Sequence, residues 1–416
     1  MQGGVKLVDN HGNNLTFLLC VPRSGSSLAT LMLQNHSQVF ATQEMWFLMS
    51  LLDLKLTPQR PYGGTGILKQ FYNGILPDEV FKQACRSYAL QVYNGLLQSS
   101  GAKIVIDKSP RYYYALEFID SLFPHARRIG LIRNPLSIIA SYKKVNDRGG
   151  EPSDLAADLW DPRFNIKIAD ITVGLFRYLN YFKGDSPYAY RLYYERLVTA
   201  PRDEMMKLCR FLGIAYEEGL ERYGNYMDTA KAGLYFSMGV GDPYVNGHKE
   251  AHQDSVDSWR ETLSKEEIEG YCRVIGAQVF HDLGYGEQLQ EAERLTGVQF
   301  ELEPNRELMQ LRTRQLEEAT GCKWEDSYGL CSDAPSGLPS EPAEDGLGQG
   351  IDPHVLQLQI TLRSLEMRLE KSYASQAQLR SQLDNMKAKI NRVKSMIPFG
   401  NRLSHWATHY LIGGKK

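Results

Sequence analysis

Up to about residue 285, short apolar runs alternate with stretches in which apolar residues recur every three or four positions. The runs Leu15 to Val21, Lys103 to Ile106, Arg128 to Ile132 and Tyr188 to Tyr194 are rich in β-branched, aromatic or Leu residues and read as strands. Helical spacing begins near Ser27, Arg111, Pro135, Pro201 and Lys265. Two of these helices carry good punctuation: Pro201 suits a first turn and Gly213 a stop, while Ser264 and Glu267 form a capping box. Repeated strand, turn and helix predict an α/β domain with a central, mostly parallel sheet.

The pattern changes past residue 330. Between Cys331 and Pro353, 11 of 23 residues are Pro, Gly or Ser, and five acids have no basic partner, so the stretch reads as a flexible linker. Beyond it, apolar residues fall at alternating intervals of three and four: Val355, Leu358, Leu362, Leu365 and Leu369, then Leu379, Leu383, Met386, Ile390, Val393 and Ile397. Only Ser372 and Gln376 interrupt the seam, and about six heptads predict a coiled coil. The alternative is one helix folded back on the globular domain.

The chain has 416 residues, 43% of them hydrophobic and 23% charged, which is enough for one large core plus appendages. With 47 basic and 49 acidic side chains, nothing global suggests a nucleic-acid binder. Charge is local instead: from Arg380 to Lys416 eight bases meet one acid, so this tail is +7 and the remainder −9. With Phe399, Trp406 and Tyr410 interleaved, the tail suits peripheral contact with an anionic membrane, or a solvated basic face on an oligomer. Six scattered cysteines without a C-x-x-C pair suggest a reducing, cytoplasmic setting and no zinc site. No stretch approaches the ~20 apolar residues of a membrane span.

The first chemical signal is Val21-Pro22-Arg23-Ser24-Gly25-Ser26-Ser27. It follows a strand and opens a helix, where backbone N–H groups and the helix dipole converge on an anion. The second Gly and the Lys-Ser/Thr pair of a Walker A loop are missing, so a phosphate ligand without an obligatory metal is implied. A second cluster lies where the strand ending at Ile132 meets Arg133-Asn134-Pro135, with Ser141 two helical turns on. A forked arginine and a serine hydroxyl can hold a second phosphate. Two such subsites on one sheet suggest a bisphosphorylated nucleotide.

These motifs resemble the sulfotransferase family that uses 3′-phosphoadenosine 5′-phosphosulfate (PAPS), and so imply a P-loop-like α/β domain. The resemblance assigns Arg23, Ser24, Gly25, Ser26 and Ser27 to the 5′-phosphosulfate loop and Arg133 with Ser141 to the 3′-phosphate. Tyr194-Glu195-Arg196-Leu197, then Pro201 and Phe211-Leu212-Gly213, is similar to the family segment whose tyrosine lies at the nucleotide. Lys249, ten residues before Trp259, resembles the family's nucleotide-binding lysine. The match runs from Leu15 to Tyr285, with Tyr142 to Tyr188 unmatched.

Arg23 in place of lysine brings the loop closer to the tyrosylprotein-type and bacterial branch. That branch implies Glu44 as the base and Lys108 of Lys108-Ser109-Pro110 as a charge-stabilising partner. Sulfuryl transfer needs a base for the acceptor proton and cations for charge growing on the leaving phosphate. The bland readings are a helix cap for Glu44 and a solvated turn for Lys108. His36 is a rival base, though its place after the first helix better suits a structural cap; His248 and His252 flank Lys249 without a clear role. Tyr112, Tyr113 and Tyr114 read as buried packing rather than an acceptor pocket.

The expected organisation is a sulfotransferase domain over 1–285, a helical extension over 286–330, a linker over 331–353, a coiled coil over 354–397 and a basic-aromatic tail over 398–416. The expected reaction moves a sulfuryl group from PAPS to the hydroxyl of a carbohydrate or cell-surface glycoconjugate, in a homo-oligomer, without metal. The alternatives are tyrosine sulfation of a protein or peptide, and a non-catalytic coiled-coil scaffold. Retention of Arg23, Glu44, Lys108, Arg133 and Ser141 together speaks against the scaffold.

Overall fold

The computed structural model describes residues 7–56, 65–148, 154–226, 231, 234–235, 238, 250–330 and 353–396. Lys249, His248, the 331–352 stretch and the tail from 397 lie outside these residues. Five parallel strands form one sheet in the order β2-β3-β1-β4-β5. They are β1 (Leu15–Leu19), β2 (Val39–Ala41), β3 (Ile104–Lys108), β4 (Arg127–Ile132) and β5 (Ala189–Tyr193). The four sequence-marked runs each overlap a strand, with β3 running two residues past Ile106 and β4 starting one before Arg128. β2 is additional, and its three residues are too short for an alternating pattern to register.

Every residue of β1 is buried, as a parallel sheet covered on both faces requires. Leu18 and Cys20 pack with Leu28 and Met32 of the helix Ser26–Gln34 and with Met205 and Leu208 of the helix Pro201–Leu212. On the other face Phe17 meets the rings of Tyr112 and Phe123 edge-on and tilted. Pro201 occupies the first turn of its helix and Gly213 ends it in the left-handed conformation. Ser264 and Glu267 make the reciprocal capping box of Lys265–Ile275. The helical pattern near Arg111 resolves into a single 3-10 turn, Tyr112–Tyr114, followed by the helix Leu116–Leu122.

The helices Gly286–Thr296 and Arg306–Thr320 belong to the same compact unit as the sheet. Arg312 of the second donates to the Leu159 carbonyl, and Leu330 N–H donates to the Tyr181 carbonyl. A second compact unit comprises 69–80 and 350–416. Its described residues include a π-helical turn, Phe71–Ile75, and one helix of 44 residues, Pro353–Met396. Arg363 Nε of that helix donates to the Gly74 carbonyl at 3.0 Å. Among the described residues, no helix is long and apolar enough to cross a membrane.

Candidate active site

In an open parallel sheet, ligands bind beyond the carboxyl ends of the strands where the strand order reverses. Here the chain leaves β1 toward β2 and β3 on one side and later takes up β4 and β5 on the other, so β1 and β4 flank the reversal. The expected site residues lie at that edge. Arg23 to Ser27 follow β1, Glu44 follows β2, Lys108 ends β3, Arg133 follows β4 and Tyr194 follows β5.

The loop after β1 is tight. Arg23 has φ 70 and Gly25 φ 96, both left-handed; Arg23, a non-glycine residue, carries conformational cost there. Gly25 has a second reason to lack a side chain: a Cβ would clash with the Tyr194 ring. Arg23 Nε donates to Ser141 Oγ at 3.2 Å, and the Arg23 carbonyl accepts from Arg133 NH1 at 2.8 Å. The two expected phosphate subsites are thus joined by direct hydrogen bonds.

Arg133 is buried, donates NH2 to the Ser255 carbonyl at 2.8 Å and lies 4.2 Å from the centre of the Tyr194 ring. Burial lowers its pKa, while Tyr194 and Glu195 pull the other way. Among the described residues its Nε has no partner, nor does the buried Ser24 hydroxyl. Unpaired buried donors at a helix N-terminus fit an anion such as the phosphates of PAPS. Glu195, quoted in a motif but given no role by the sequence, accepts from the Asn134 N–H at 3.0 Å and from the Tyr285 hydroxyl at 2.6 Å.

Lys108 Nζ donates to Glu44 Oε1 at 3.3 Å; the lysine is 1% exposed and the glutamate 32%. An almost fully buried ammonium beside a partly open carboxylate suits a site better than a solvated turn. Both act on the buried Cys20 thiol at the start of the loop. Burial pushes that thiol up to about 12, against the pull of Lys108, so it stays protonated and inert at neutral pH.

His36 sits elsewhere. Its Nδ1 accepts from the Gln38 N–H, which leaves Nε2 to donate to the Ala215 carbonyl at 2.8 Å. One ring nitrogen thus serves the turn that ends the first helix, and the other ties that turn to the segment following the helix Pro201–Leu212. His252 is 36% exposed at the side chain and lies 3.4 Å from Asp254.

Two buried carboxylates escaped sequence reading. Asp170 accepts both Nε and NH2 of Arg111 and the hydroxyls of Tyr113 and Tyr142, all at 2.8 to 3.2 Å. Asp107 accepts from the hydroxyls of Tyr93 at 2.6 Å, Tyr112 at 2.9 Å and Ser109 at 3.3 Å. Tyr112 and Tyr113 are fully buried and anchor these carboxylates.

Burial pushes the Asp107 carboxyl up from 3.8 to about 6, although the three hydroxyls and Lys108 oppose it. The folded state then holds this proton more tightly than the unfolded chain does. Stability from this group is present below about pH 4 and is lost as pH rises to about 6. Asp107→Asn is expected to remove that loss, which amounts to about 2–3 kcal/mol. Urea midpoints between pH 4 and 7 for both proteins test this, and parallel pH profiles would refute it.

Residues 16–218 match the model described as the Sulfotransferase family. Nodulation protein NoeE of Sinorhizobium fredii is 29% identical over 293 residues, which cover 67% of this chain and 67% of that protein. Protein-tyrosine sulfotransferase A of Caenorhabditis elegans is 24% identical over 214 residues, 50% of this chain and 52% of the relative. The sulfotransferase domain of the Synechococcus PCC 7002 olefin synthase is 23% identical with a TM-score of 0.40, over 62% of this chain and 92% of that domain. Residues 16–218 thus carry the domain of the sulfotransferase family, and the matches support an enzyme that transfers sulfuryl groups. It spans about half the length of the tyrosine sulfotransferases it matches.

Proposed function

We propose that the protein transfers a sulfuryl group from PAPS to a hydroxyl of a carbohydrate or cell-surface glycoconjugate. The observation that carries the reaction is the Glu44–Lys108 pair beside the Arg23–Ser141–Arg133 cluster at one sheet edge. Arg23 and Ser24 to Ser27 would hold the 5′-phosphosulfate, and Arg133, Ser141, Tyr194 and Lys249 the 3′-phosphate end. PAPS supplies the electrophilic sulfur. The acceptor oxygen forms a bond to sulfur as the bond from sulfur to the phosphate oxygen breaks. The acceptor proton passes to Glu44. Protonation cancels the charge that Lys108 faces at rest, which releases the ammonium, with Arg23, for the charge growing on the leaving phosphate.

Support for a sugar acceptor comes from Trp46, two residues past Glu44 and 41% exposed. An exposed indole face suits stacking against the C–H side of a sugar ring. Tyrosine sulfation is the second reading, favoured by the similarity to protein-tyrosine sulfotransferases and the Arg23 to Glu44 spacing. Incubation with labelled PAPS and panels of glycans, lipids and tyrosine peptides separates them: label on peptides alone would overturn the sugar reading. For the donor, adenosine 3′,5′-bisphosphate should bind about 10- to 100-fold more tightly than AMP, the worth of a buried charge-assisted contact. Equal affinities by calorimetry would remove Arg133 and Ser141 from the 3′-phosphate.

We further propose that the exposed seam of the long helix joins copies of the chain as a coiled coil, and that the basic tail makes peripheral contact with an anionic membrane. The domain organisation expected from the sequence and a cytoplasmic setting stand with this reading.

A further inference from the structure

We infer that the helix Pro353–Met396 pairs with the same helix of a second copy running in the opposite direction, in a single register. This rests on the proposed self-association and adds to it the number of strands and their polarity. Nine apolar seam residues, from Val355 through Leu369 and from Leu379 through Ile390, are each 45–69% exposed. Arg363, outside the seam, donates to the Gly74 carbonyl, so the 71–75 turn lies against another flank of the helix. A stripe of this length needs cover, and a strict seven-residue repeat fits a second helix of like repeat.

Register follows from the two polar seam positions. With Val355 at a and Leu358 at d, Gln376 falls at a and Ser372 at d. In an antiparallel pair each a faces a partner d. When residue numbers facing each other sum to 748, Gln376 faces Ser372 and every other described layer is apolar: Leu362 with Met386, Leu369 with Leu379, Leu383 with Leu365. A slip of one heptad either way sets Gln376 against Leu365 or Leu379, an amide with no polar counterpart. The chosen register is centred on residue 374, and the midpoint of the helix lies between 374 and 375, so it uses the full length.

Direction is decided on the flanks, because a parallel in-register pair would also match its polar layers. Parallel pairing sets g positions against e positions five residues on, which places 389 opposite 394, lysine against lysine by sequence, twice per dimer. It offers no opposite-charge pair in return. Antiparallel pairing sets e against e, where Glu366 falls between Arg380 and Lys387 of the partner, again twice, and no two basic residues meet. Within its own helix Glu366 meets Arg363 at 3.0 Å, and the partner's cations would extend that pair into a network. Opposed macrodipoles add to the preference.

Pulsed electron resonance on the full chain tests the inference, with Cys331→Ser to remove a background thiol and a spin label on Asn391→Cys, an exposed position off the seam. Antiparallel pairing puts position 391 level with 357 of the partner, about 51 Å along the axis at about 1.5 Å per residue. Parallel pairing puts the labels within roughly 20 Å, given helix axes about 10 Å apart. The long distance together with a two-copy mass by light scattering supports the inference. A short distance, or a trimer, overturns it while leaving self-association standing, and a monomeric mass overturns self-association itself. Glu366→Lys should weaken the dimer about fivefold at low salt. Adding Arg380→Glu and Lys387→Glu should restore it, and absence of rescue would refute the flank pairing.

Discussion

Glu44→Gln is expected to lower turnover by roughly 10²–10⁴ while donor affinity stays within a few-fold of the parent, because general-base catalysis contributes on that scale. The glutamine keeps an acceptor oxygen for Lys108 Nζ, so the hydrogen bond survives while the negative charge and the proton affinity are lost. Single-turnover kinetics with saturating PAPS isolates the chemical step. A variant that turns over at near-normal rate would place the base elsewhere. His36 would be an awkward substitute, since both its nitrogens are engaged by Gln38 and Ala215.

The second large effect concerns Asp170. Replacing it with asparagine leaves Arg111 without its counter-charge and turns an acceptor of two tyrosine hydroxyls into a mixed donor. Breaking a buried ion pair costs about 3–5 kcal/mol, and the lower end applies because Arg111 is 24% exposed. We expect denaturant midpoints of Asp170→Asn to fall accordingly. The double variant Arg111→Met with Asp170→Leu should recover part of the loss, since an uncharged pair leaves nothing stranded. A single variant within about 1 kcal/mol of the parent would show that solvent already compensates Arg111.

What the sequence disclosed follows from how local each signal is. The loop Pro22 to Ser27 was legible because strand, turn and helix are contiguous, and the capping box because Ser264 and Glu267 are three residues apart. Asp170 was not legible: it lies in the stretch where the family resemblance lapses, and its partners Arg111, Tyr113 and Tyr142 are 59, 57 and 28 residues away. The strand β2 was too short to show a period, and the π-helical turns Phe71–Ile75 and Asp170–Gly174 have no sequence pattern that separates them from an α-helix. Arg23 and Ser141 were each marked, but their contact spans 118 residues and only the fold brings it about.

Arg133 does two jobs with one guanidinium. It fastens the Ser255 carbonyl while Ser137, a turn further on, fastens that of Val256. If the same fork also meets the donor, ligand affinity and the seating of this segment become one coupled equilibrium. Reciprocity then requires that any change which unseats 255–256 loosens the nucleotide by the factor with which the nucleotide tightens the segment. Substitutions far from the chemistry, in the stretch leading into Trp259, would thus register as donor Kd before they register as turnover.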